Sequence, residues 1–179
     1  SIIILNYNGK ELLATCIPSV LQAIANAGGG HQVIVVDNGS TDGSVQFVHS
    51  SYPTVDILPL SKNLGFGEGN NAGVRSASGD IVVLLNNDMV VEKDFLQPLL
   101  DAFHVGGEDV FAVGCHIEIV GNRGTRGETG KTFAYWDNGF IWFTHRTITP
   151  LDYERKYVPS MWASAGAAAF EKTKFLELG

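Results

Sequence analysis

At 179 residues the chain is long enough for one domain with a single sizeable core. Hydrophobic residues make up 45% and charged residues 17%, the balance of an ordinary globular protein, and the net charge of −7 argues against nucleic acid or an anionic membrane surface as the main partner. Cys16 and Cys115 lie far apart, each in an apolar segment, which suits buried reduced thiols and not a disulfide framework. No apolar run approaches transmembrane length, and no signal peptide is visible. The chain opens inside a strand-like run and stops beside an expected helix end, so it reads as a piece of a longer protein.

In chain order, residues 2–5 form an apolar strand that ends in Asn6-Tyr7-Asn8-Gly9. Leu12, Leu13, Cys16, Ile17, Val20, Leu21 and Ile24 then recur at helical spacing. Pro18 falls inside that pattern and is expected to kink or split the helix. Residues 33–36 form a second buried strand, ending in Asp37-Asn38-Gly39-Ser40-Thr41-Asp42, and a helix follows through Val45 and Val48 with Ser40, Thr41 or Asp42 as N-cap. Residues 55–60 read as a third strand. Residues 61–67 read as a glycine-rich turn into a helix over about 68–76, whose Gly69, Ala72, Gly73 and the following Ala77 let it approach the sheet or a ligand closely. Residues 81–85 are an unbroken apolar run, the pattern of a strand covered on both faces. It stops abruptly at Asn86-Asn87-Asp88. Phe95, Leu96, Leu99, Leu100 and Phe103 mark a further amphipathic helix.

The second half is less regular. Residues 111–120 read as a strand that leaves the parallel pattern, and residues 121–130 as a mobile loop whose Arg123 and Arg126, with Lys131 after it, can meet phosphate or an acidic acceptor or simply face solvent. Phe133, Tyr135, Trp136, Phe140, Trp142 and Phe143 suggest a hairpin turning at Asp137-Asn138-Gly139. Such rings either stack on sugars or fill a core. Trp162 and residues 163–170 read as a return strand, with small residues at 165–169 leaving room for a ligand or for backbone. The five histidines show no zinc-like spacing.

Strand and helix alternate four times over the first hundred residues, which predicts an α/β fold on a mainly parallel, Rossmann-like sheet flanked by helices. In a parallel sheet the polar clusters after the first, second and fourth strands fall along one edge, where ligands of open α/β sheets bind. A carboxylate beside amides, with a glycine loop nearby, suits phosphate, ribose and a hard divalent cation. Taken alone, Asn86-Asn87-Asp88 also reads as a mere polar turn.

The ordered motifs resemble those of the family 2 glycosyltransferases of the GT-A fold. They are Asn6-Tyr7-Asn8, then residues 35–44 from Val35 through Asp37 to Ser44, then Asn63-Leu64-Gly65-Phe66-Gly67 with Asn70-Asn71-Ala72-Gly73, then Gly79-Asp80 through Asn86-Asn87-Asp88. Residues 166–170 are similar to the segment before that family's catalytic loop. The resemblance implies one domain over 1–179, with a donor half at about 1–105 and an acceptor-side half at about 106–179. It also implies a UDP- or dTDP-sugar donor, a Mn²⁺ or Mg²⁺ ion, an inverting transfer, and a glycan or lipid-linked acceptor, with work in the cytoplasm, at the inner face of a membrane. Asn6, Tyr7, Asp37 and Asn38 would line the nucleoside pocket. Asn63, Gly65, Asn70, Asn71, Asn86 and Asn87 would complete the donor site, with Asp88 as the metal ligand.

Three departures from the family pattern stand out. Asn86 replaces the first aspartate of the Asp-x-Asp triplet, and Asn70 stands where many members carry arginine; both resemble the branch that builds bacterial surface polysaccharides, rhamnosyltransferases included. The general base, a carboxylate in a Glu-Asp type motif, is expected beyond Gly179, since Glu171 and Glu177 read as residues of an ordinary helix. The fragment is therefore expected to bind donor while being catalytically incomplete. One rival is a nicotinamide-binding Rossmann domain, because Gly65-Phe66-Gly67 opens a helix with Asp88 roughly 20 residues on. Asn70 in place of the third glycine and the unexplained 37–42 cluster count against it. A nucleotidyltransferase would want a basic phosphate loop where Asn6-Tyr7-Asn8-Gly9 stands. A non-catalytic nucleotide-sugar-binding module is the remaining alternative.

Overall fold

A computed structural model describes residues 1–121, 124–129, 131–146, 148–155 and 157–178. Four parallel strands lie at its centre: β1 (Ile2–Asn6), β2 (Val33–Asp37), β3 (Asp56–Pro59) and β4 (Ile81–Asn86). They alternate with α1 (Lys10–Asn26), α2 (Ser44–Ser51), α3 (Gly65–Ser76) and α4 (Leu96–Gly106). After α4 come β5 (Ala112–Gly114), β6 (Ile117–Gly121), β7 (Gly124–Thr129), β8 (Lys131–Asp137), β9 (Phe140–Arg146), α5 (Pro150–Tyr153), β10 (Ala167–Glu171) and α6 (Lys172–Leu178). The main sheet runs β3-β2-β1-β4-β10-β5, with β10 antiparallel to both its neighbours.

The apolar runs of the sequence are buried on two faces, as period-two alternation requires. Ile2, Ile4, Val33, Val35, Val83 and Leu85 pack with α1 and α4 on one side. Ile3, Ile34, Val36, Val82 and Leu84 pack with Val74 of α3 and Phe175 of α6 on the other. The small residues of α3 serve the sheet: a Cβ on Gly73 would sit 2.5 Å from Ile3 Cγ2, and one on Gly69 would sit 2.6 Å from Leu5 Cδ1. Those of β10 do likewise, since Ala167, Ala168 and Ala169 are buried between β4 and β5.

Several expectations change. The helix α1 runs through Pro18 without being split. The glycine-rich stretch 65–67 is the first turn of α3, not a preceding loop. The N-cap of α2 is Gly43; Asp42 instead accepts hydrogen bonds from the backbone N–H of Lys10 and of Ser44. The single strand expected at 111–120 is two, β5 and β6, interrupted at Cys115-His116. The loop expected at 121–130 contains β7, which pairs antiparallel with β6. Glycine content alone signalled a loop there, because the ladder that stabilises the segment is made with a neighbouring strand. Arg123 and the side chain of Arg126 lie outside the described residues. The return strand begins at Ala167, not 163, and Glu171 ends it, accepting the backbone N–H groups of Thr173 and Lys174 at the start of α6. The β8–β9 hairpin turns where expected, with Asn138 at φ 49° and Gly139 at φ 85°, the positive pair that a two-residue hairpin turn requires.

Candidate functional site

The strand order reverses direction between β1 and β4, and the register there sets the site. Asn6 pairs across from Asp37, and Leu5 across from Asn86. The polar ends of three strands are therefore level at the carboxyl edge, where a crevice forms in open α/β sheets. A cleft of about 350 Å³ opens at this edge, lined by Leu5, Tyr7, Asn38, Asn63, Gly65, Phe66, Asn86, Asn87 and Asp88.

Behind that lining lies a buried polar network. Asn6 is 1% exposed; its amide N–H groups donate to Asp37 Oδ1 at 3.1 Å and to Ser40 Oγ at 3.2 Å, while its oxygen accepts from Asn87 Nδ2 at 2.8 Å. The second oxygen of Asp37 accepts the Ser40 N–H at 3.0 Å. One chain of hydrogen bonds thus joins the end of β2 through β1 to the end of β4. Asp37, 3% exposed, thus accepts one hydrogen bond on each oxygen from the neighbouring strand end and its own turn. Gly9 belongs to the same packing, because a Cβ there would collide with the amide of Asn87 and the oxygen of Asn6.

A second network attaches the glycine-rich segment. The Asn38 amide donates to Asn63 Oδ1 at 3.1 Å and to the Gly65 carbonyl at 3.0 Å, and its oxygen accepts the Leu64 N–H at 2.8 Å. All four valences of this amide but one are used, so the loop is fastened to the sheet edge. Gly39 permits the approach: its φ is +80°, and a Cβ would lie 2.8 Å from the Lys62 carbonyl carbon. Asn70 is buried in α3, donating to the Phe66 carbonyl at 3.0 Å, and Asn71 is half-buried. The structure thus brings Tyr7, Asn38, Asn63, Gly65, Asn86, Asn87 and Asp88 to the cleft surface. Asn6, Asp37, Asn70 and Asn71 are not among its lining residues.

Two lining residues, Leu5 and Phe66, were not singled out from sequence. Phe66 is half exposed although large and apolar, and a bulky ring inside a glycine-rich polar turn is the signal that could have marked it. With Tyr7, also half exposed, it places a second aromatic ring on the cleft.

Asp88 is exposed, whereas the thiol of Cys16 lies beneath the triplet, 3.9 Å from the Asn86 carbonyl oxygen. Burial, with a further contribution from the Asp88 charge, pushes the Cys16 thiol up to about 12, and burial pushes Cys115, which is only half-buried, up to about 11. Among the described residues no three His, Cys, Asp or Glu side chains group as a metal cage. The cleft offers one carboxylate and amide oxygens. A hard divalent cation takes six or more oxygens, so this donor set fits an ion that shares its coordination with a diphosphate and water, not one held by protein alone. Among the described residues no helix is long and apolar enough to cross a membrane.

The sequence profile described as Glycosyl transferase family 2 matches residues 1–175. The chain is 32% identical over 117 residues to the uncharacterized glycosyltransferase YfnE of Bacillus subtilis, covering 64% of this chain and 29% of that protein. It is 34% identical over 123 residues to the uncharacterized glycosyltransferase alr2836 of Nostoc sp., covering 67% of this chain and 37% of that protein. The chain therefore spans about a third of the length of these relatives. Two solved structures share the fold: the mannosyltransferase PcManGT of Pyrobaculum calidifontis in complex with GDP-Man and Mn²⁺, and GalNAc-T7 with UDP, GalNAc and Mn²⁺. The first has a TM-score of 0.62 at 20% identity and covers 99% of this chain and 46% of that one. The second has a TM-score of 0.72 at 16% identity and covers 99% and 36%.

Proposed function

Because the chain belongs to glycosyl transferase family 2, we propose that the cleft binds a nucleotide-diphosphate sugar together with a divalent metal, and that the whole protein transfers the sugar to a glycan or lipid-linked acceptor with inversion. The observation that carries this reading is the convergence of the ends of β1, β2 and β4 on one cleft with Asp88 at its surface. The fold-related structures with Mn²⁺ and nucleotide or nucleotide sugar support it.

Tyr7 and Phe66 offer ring faces for the nucleobase, while Asp37, behind the cleft lining, holds Asn6 and Ser40 in place at its edge. Asp88 would hold the metal, with the amide oxygens of Asn86 and Asn87 beside it. Asn86, being uncharged, is assigned to hydrogen bonding at ribose or phosphate. When bound, the metal neutralises charge that builds on the departing diphosphate. Inverting transfer also needs a base to take the proton of the acceptor hydroxyl as its oxygen attacks the anomeric carbon. Donor binding is the property to test in this chain.

The test is thermal unfolding with UDP, dTDP, GDP and NAD, each with and without Mn²⁺, on the natural chain and on Asp88→Ala. A ligand at a hundredfold its Kd adds about 2.7 kcal/mol, a rise in Tm of several degrees for a chain this size. The expected result is a shift with a pyrimidine or guanine nucleoside diphosphate that needs Mn²⁺ and shrinks in Asp88→Ala. A shift with NAD alone, indifferent to Mn²⁺, would replace this reading with a dinucleotide-binding one.

A further inference from the structure

The β8–β9 hairpin forms a sheet of its own, and its rings are not core. Cross-strand pairing puts Trp136 opposite Ile141 and Ala134 opposite Phe143 on one face, with Thr132 opposite His145 at the root. The root is fixed: Thr132 is buried, Ser160 Oγ accepts its N–H at 3.1 Å, and its hydroxyl lies 2.6 Å from Ser160 Oγ. The rest of the face is open, with Trp136 at 69%, Phe143 at 61% and Ile141 at 56% exposure. Trp162 continues the face, edge-on to Phe143 at 5.8 Å and to His145 at 5.2 Å between centroids. Contiguous exposed apolar surface of this kind marks a binding surface.

Its position says what it would bind. Trp162 stands four residues before Gly166, whose carbonyl accepts the Asn86 N–H at 2.9 Å. Four residues of chain reach at most about 14 Å, so Trp162 lies within that distance of the strand end that carries the polar triplet, and the rings continue from it along the hairpin. We propose that this face, from Trp162 through Phe143 to Trp136, is the docking track for the sugar rings of the acceptor glycan. The inference rests on the glycosyltransferase reading and adds the acceptor side to it. Flat rings with a polar neighbour in His145 suit pyranoses, which present C–H faces and hydroxyl edges together. The hairpin tip counts against a bilayer as the occupant. Asp137 and Asn138 would enter first, and a carboxylate is costly there.

The experiment is saturation-transfer-difference NMR with chitotetraose and mannotetraose, alongside the nucleotide titration described above. Transfer to at least one tetrasaccharide is expected. Trp136→Leu, which stays apolar but loses the ring, should lower it about tenfold, whereas Trp136→Phe should retain most of it. Tyr135→Leu and Trp142→Leu, on the opposite face, should leave it unchanged. The nucleotide shift should be intact in all four variants, which also shows that each is folded. No transfer to either sugar, or equal loss from the opposite face, would overturn the track even where donor binds. Flotation with phosphatidylcholine vesicles or concentration-dependent sedimentation that Trp136→Leu abolishes would overturn it in favour of a membrane or a second copy. Loss of nucleotide binding in the natural chain would instead strike the donor reading.

Discussion

Asn6 donates to one strand end and accepts from another, so its value lies in what it holds in place. Its removal would leave a lone pair of Asp37 and the Asn87 amide without their buried partner. An unsatisfied buried group costs about 1–3 kcal/mol, so Asn6→Ala should lower unfolding free energy by that amount in a denaturant melt. It should also weaken nucleotide binding, because Asn87 loses its tether. An unchanged denaturant midpoint would show that water replaces the amide. Asn38 plays the matching part for the loop. In both cases an amide suits the position because it donates and accepts at once and carries no charge to desolvate.

Among the elements, the parallel strands and the aromatic hairpin are held very differently. β1, β2 and β4 are covered on both faces, whereas β8–β9 is tied at its root by Thr132 and by the Lys131–Asp152 ion pair at 2.6 Å. A lone hairpin is marginal in water, and local opening follows such differences in burial. Amide hydrogen exchange should therefore show the tip around Asp137 exchanging early and the amides of β1 and β4 last. Thr132→Val should speed exchange throughout β8–β9 without touching β1. Uniform protection across hairpin and sheet would contradict this.

For the whole molecule, several carboxylates work as hydrogen-bond acceptors whose charge the fold favours. The Lys131 ammonium, then the hydroxyl and N–H of Thr149, hold Asp152 well below the usual carboxylate range. Glu171 is lowered chiefly by the Lys174 N–H, and Glu68 by Arg75. At Asp42 partial burial opposes the charge, but hydrogen bonds from Ser44 and Lys10 outweigh it. A lowered folded-state value means stability that is complete above the ordinary carboxylate range, about pH 4, and is lost as pH falls through the folded values below it. Tm should thus be flat from neutral pH down to about pH 5 and fall below about pH 4, by a modest amount for each exposed group because solvent screens its interactions. Lys131→Met should bring the loss of hairpin order to higher pH. A Tm that declines steadily from pH 7 would refute this.

The α/β class, the parallel arrangement of four strands and the polar ends of three of them were legible in short windows. Burial on both faces leaves unbroken apolar runs, and the end of such a run is visible where Asn86-Asn87-Asp88 begins. The hairpin turn was legible too, since Asn-Gly suits two positive φ values. What could not be read was anything set by a distant partner. Windows do not show that β6 and β7 pair, that Asn6 and Asp37 stand behind the cleft while Phe66 faces it, or that the aromatic face at Trp136 is bare. Local pattern reports whether a residue has a period and a polarity. Which surface that period meets, or whether it meets any, depends on register and on contacts between segments scores of residues apart, and those exist only in the folded chain.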